Sequence, residues 1–122
     1  MTLTTFLIIL GRALVGALFL IAGIRNTLKL SERIAGKTNY GWPLPAGLVG
    51  AGFAIEVFGG ASLIIGVWPA FGALALIVFT VLATALYHNF TLFSAPERDT
   101  HFYFVTVNAA LCGALLLIIA TA

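Results

Sequence analysis

Residues 3–24 read LTTFLIILGRALVGALFLIAGI, an apolar run with a single charge, Arg12. About 20 such residues cross the hydrocarbon core of a bilayer as a helix. The run is longer than the apolar region of a secretory signal, and Met1–Thr5 carries no positive charge ahead of it. It is therefore read as a retained membrane span.

Three further runs follow, at about 44–67, 70–87 and 102–121. None alternates polar with apolar residues, as the shorter strands of a membrane barrel do. Backbone groups in lipid must be bonded internally, so runs of this length are helices. Residues 1–122 are thus expected to form a single all-α domain, a transmembrane four-helix bundle with antiparallel neighbours. Composition agrees. The chain is 61% hydrophobic and 8% charged, where soluble domains carry roughly 25% charged residues. The net charge of +2 comes from residues flanking apolar runs. That pattern suits anionic headgroups and argues against nucleic acid, which needs a basic patch on a soluble face.

Span 2 holds Glu56 among six glycines at 47, 50, 52, 59, 60 and 66. An acidic residue at mid-span costs roughly 2.5–3.5 kcal/mol, several times the gain from one Leu or Ile. Span 2 is marginal alone, so it is expected to insert as a hairpin with the uncharged span 3, across Val67-Trp68-Pro69-Ala70. Loop 1 carries Arg25, Lys29, Arg33 and Lys37, and loop 3 carries Arg98; the opposite side has no Lys or Arg. The positive-inside rule puts both loops in the cytoplasm and both termini outside. Tyr40, Trp42, Tyr87 and Tyr103 would then mark the inner interface and Trp68 the outer one. The four-residue spacing in loop 1 extends span 1 into an interfacial helix, its charges acting as topology anchors or as a lipid or partner site.

Arg12 and Glu56 fall near the middle of antiparallel spans. Each is expensive in hydrocarbon without a partner, so a buried Arg12–Glu56 ion pair is expected. Arg12, Gly16, Phe19 and Gly23 share one stripe of span 1. Gly52, Glu56, Gly59, Gly60 and Leu63 share one of span 2. Small residues on both stripes let the helices approach closely. Thr80, Thr84 and His88 share a face of span 3, and His101, Asn108 and Cys112 a face of span 4. Together they predict an inward polar seam, with Arg12, Glu56, Thr84, His88 and Asn108 as the candidate pocket. Three roles compete for it: a device fixing helix register, a pocket for a small molecule, proton or quinone-like headgroup, and a contact surface for a second membrane subunit. His88 and His101 lack regular ligand spacing, so neither a metal site nor haem is expected. Cys112, the one cysteine, reads as a packing residue. No nucleophile elbow, phosphate loop or zinc motif is present.

Gly11-Arg12-Ala13-Leu14 with Phe19-Leu20-Ile21-Ala22-Gly23 resembles the first span of the DoxX family. Glu56 followed by Gly59-Gly60 and Gly66 resembles its second. His88-Asn89-Phe90, and Asn108 with Gly113-Ala114-Leu115-Leu116, resemble later parts. The resemblance implies a compact four-span protein of a bacterial or archaeal inner membrane, associated with membrane oxidoreductases and thiol stress. From it follows the leading expectation: an accessory or quinone-associated subunit of a membrane redox system, not an enzyme alone, working beside a partner redox protein. A scaffold or assembly factor for another membrane protein is the second reading, and a small-molecule transporter the third. Glycine-rich faces also leave room for a homo-oligomer.

Overall fold

The computed structural model describes all 122 residues, and its regular elements are all helices, with no strand. Helix α1 covers Leu3–Leu28, α2 Leu30–Ala35, α3 Ala46–Ile65, α4 Pro69–Tyr87 and α5 Glu97–Thr121, with a 3-10 turn at Phe90–Leu92. Helices α1, α3, α4 and α5 are each long and apolar enough to cross a membrane. They are the four expected spans, joined in sequence as an antiparallel bundle.

Local chemistry sets the ends. The Thr2 hydroxyl accepts from the Thr5 amide and starts α1. Helix α3 stops at Gly66, whose φ of 77° is the left-handed conformation that glycine adopts without strain. Trp68, also at positive φ, leads directly into α4 with Pro69 in its first turn. Helix α5 begins at Glu97, five residues ahead of the apolar run expected from 102. Its first turn holds Glu97 and Asp99, which favour a helix N-terminus through the helix dipole and are invisible to a hydropathy reading.

The packing runs α1 on α3, α3 on α4 and α4 on α5, and α1 touches α5 to close the bundle. The predicted α1 stripe lies at the α1–α3 contact, whereas the predicted α3 stripe divides: Glu56, Gly60 and Leu63 face α1, and Gly52 and Gly59 face Phe79 and Leu76 of α4. A methyl group on Gly60 would sit 2.6 Å from the Gly16 carbonyl and 2.6 Å from the Leu20 amide, and one on Gly23 would sit 2.8 Å from the Glu56 Cβ. The two backbones therefore touch. The α3–α4 hairpin is closed similarly, with Gly59 against Leu76 and Gly72 against Ser62. Phe19, Leu63, Ala73, Leu76, Leu115 and Ile118 form the core. Only 15 of 122 residues are buried, while Leu14, Ile21, Phe58, Phe71, Val81 and Leu117 all face outward. In water that surface would aggregate; in lipid it is the solvent-facing side.

Those glycine contacts fix an unexpected register. Gly16 meets Gly60 and Leu63, Gly23 meets Glu56 and Val57, and Arg12 reaches Gly66. Helix α1 is thus slid lengthwise against α3. By the same register its last residue, Leu28, comes level with about Ala51, roughly one turn inside the start of α3, and Leu3–Gly11 runs beyond the last turn of α3 by about 13 Å at 1.5 Å per residue. Helix α2 also packs on α3. The expected extension of span 1 exists as the last turn of α1 and the separate helix α2, broken at Lys29. Beyond it, the Asn39 amide donates to the Leu86 carbonyl (2.8 Å), tying the loop to the end of α4.

Candidate functional site

The register separates the two charges expected to pair. Arg12 and Glu56 form no ion pair. Along α1, Arg12 lies 11 residues from Gly23, the residue facing Glu56, which is about 16 Å of helix. Arg12 instead sits level with the Trp68 turn, where its Nε donates to the Leu63 carbonyl at 2.8 Å. Its guanidinium lies over Gly66, so close that a side chain there would meet it at 2.7 Å. Arg12 thus caps the negative end of α3, where the last carbonyls lack helical partners.

Glu56 is 4% exposed and has a different partner. Asn26 Nδ2 donates to Glu56 Oε1 at 2.9 Å, and Arg33 Nε donates to Asn26 Oδ1 at 3.2 Å. One amide therefore joins a buried carboxylate to a guanidinium on α2. Asn26 was absent from the predicted site, although it continues the Arg12, Gly16, Phe19, Gly23 stripe by one more turn. Following that stripe to the end of the helix would have found it.

At the end of α1, between α2, α3 and α4, a cavity of about 570 Å³ opens. Its walls include Leu48, Phe53, Val78, Phe79 and Leu82. Its polar lining comes from Asn26, Glu32, Arg33, Lys37, Tyr87 and His88. The size falls in the range of small-ligand pockets, and an apolar wall with few polar groups at one end is their usual chemistry. A second cavity of about 450 Å³, near Trp68, has Ser62 as its polar side chain. That hydroxyl donates to the Val67 carbonyl at 2.8 Å, leaving an apolar groove.

The rest of the predicted seam resolves into two local pairs. Asn108 Nδ2 donates to Thr84 Oγ1 at 2.8 Å, and the Thr84 and Thr80 hydroxyls donate back to carbonyls one turn earlier on α4. This couples α4 to α5. His88 and His101 face each other with Nδ1 atoms 3.1 Å apart. Phe93 stacks on His101 at 4.1 Å between ring centres, and Phe104 on His88 at 4.8 Å. Of the five predicted residues, the structure joins Thr84 with Asn108, puts His88 on the cavity wall, seats Glu56 behind Asn26 and removes Arg12 to the far end. Cys112 is half-buried and free.

Four helices, each long and apolar enough to cross a bilayer, define a multi-pass helical membrane protein. The chain belongs to the DoxX family, whose sequence model matches residues 7–89. The match takes in α1 to α4 with Asn26, Arg33, Glu56 and His88, and ends before α5. No curated protein and no solved structure matches the chain.

Proposed function

We propose that the protein is a quinone-associated accessory subunit of a membrane oxidoreductase system, resident in a bacterial or archaeal inner membrane with loops 1 and 3 in the cytoplasm. The observation carrying this reading is the cavity between α2, α3 and α4. Its apolar walls suit an isoprenoid chain entering from lipid. Its polar end is rich in donors, with Arg33 and Lys37 from one side and His88 from the other; Glu32 is the one acid among them. A ligand whose polar atoms are carbonyl acceptors matches that end, and a quinone ring has two. Electrons would come from a partner redox protein, and the chain would hold or pass the quinone.

The test is extraction. Protein purified in native-lipid nanodiscs is stripped with organic solvent and the extract separated with ultraviolet detection. Near-stoichiometric quinone supports the reading, with Leu48→Trp, which fills the cavity, losing it. An extract containing phospholipid alone, together with no binding of added decylubiquinone, overturns it.

A further inference from the structure

The histidine pair is placed to do more than pack. His88 lies at the C-terminal end of α4 and lines the cavity, while His101 comes from α5, behind it. Their Nδ1 atoms are 3.1 Å apart, a hydrogen-bond distance that requires one nitrogen to carry the proton and the other to be bare. The aromatic rings stacked on each imidazole hold both orientations. With Nδ1 of His88 engaged by His101, the polar atom His88 has left for a cavity ligand is Nε2.

The proton's position on the pair therefore decides what His88 offers to the cavity. If His88 keeps its Nδ1 proton and donates a hydrogen bond from it to His101 Nδ1, a neutral His88 has a bare Nε2 and offers an acceptor. If His101 Nδ1–H donates the hydrogen bond to a bare His88 Nδ1, the neutral His88 carries its hydrogen on Nε2 and offers a donor. A ligand of carbonyl acceptors needs the second arrangement.

We infer that His88 is the headgroup-binding residue of the cavity, donating from Nε2 to a ligand carbonyl, and that His101 is the positioning residue that sets this tautomer. The inference rests on the quinone reading above and adds to it which residue grips the head and what orients it. His101 lies outside the segment matched by the family model, so α5 supplies a part of the site that the first three spans lack.

The chain has two histidines, so imidazole ¹⁵N spectra are assigned by single variants. In nanodiscs, His88 is expected to show a bare Nδ1 and a protonated Nε2, and His101 a protonated Nδ1. Decylubiquinone binding is expected to weaken about five- to tenfold in His88→Phe and in His101→Phe, the yield of one lost hydrogen bond. His101→Gln, whose amide can still donate, recovers most of the affinity. Decylbenzene, which has no acceptor, binds all four proteins alike. The reverse tautomer in the wild type overturns the inference, a measurement that needs only one of the two histidine variants to fold, for the assignment. Equal decylubiquinone affinity in wild type and His88→Phe overturns it while leaving the quinone reading intact. Absence of any decylubiquinone binding to the wild type overturns both.

Discussion

At the scale of single residues, the molecule separates a charge that caps a helix from a charge that is buried. Arg12 binds the Leu63 carbonyl, and hydrogen bonds to charged groups contribute about 1.5–3 kcal/mol. Arg12→Ala should lose about that much stability in a denaturant titration followed by circular dichroism. The exchange Arg12→Glu with Glu56→Arg should be no better than the worse single variant, since the two sites do not meet; rescue by the exchange would mean that they do. Glu56 depends on Asn26. Asn26→Leu should cost about 1–3 kcal/mol by stranding a buried carboxylate, and adding Glu56→Leu should restore most of it, because removing both partners is nearly neutral. Sequence alone marked Arg12 and Glu56 as residues requiring partners but assigned the wrong ones. It counted positions from the span ends, whereas depth is set by which backbone atoms can touch.

At the scale of elements, glycines choose the register. Helix α1 slides along α3 until Gly16 lies on Gly60 and Gly23 on Glu56, where backbones approach closest and dispersion contacts are densest. Gly60→Ala should lower stability by about 1–3 kcal/mol, the usual cost of overpacking. Gly11→Ala and Gly113→Ala, with nothing within 4 Å of the added methyl, should leave it unchanged or slightly improved in the same titration. The stripes themselves were legible, since the 3.6-residue period displays them. The offset between them was not, because a repeating small-residue stripe permits several offsets and the neighbours that select one come from other helices. The start of α5 was missed for a related reason: its first turn is held by acids and by the helix dipole, which an apolar count passes over.

At the scale of the whole molecule, the charge asymmetry of the loops predicts orientation. In a Cys112→Ala background, Trp68→Cys should react with a membrane-impermeant maleimide applied to intact spheroplasts, and Lys37→Cys should react only after lysis; the opposite pattern would invert the topology. The lengthwise slip of α1 has two ends. At one, Asn26 near the helix end borders the cavity. At the other, the first turns of α1 stand clear of their neighbours, still apolar at Leu3, Phe6, Leu7 and Leu10. The protein's greasy girdle is consequently lopsided, taller on the flank of α1 than around the α3–α4 hairpin. A bilayer wrapping it must stretch on one side or let the molecule lean. Thickness of the surrounding lipid thereby becomes a force on the same helix whose inner end roofs the cavity.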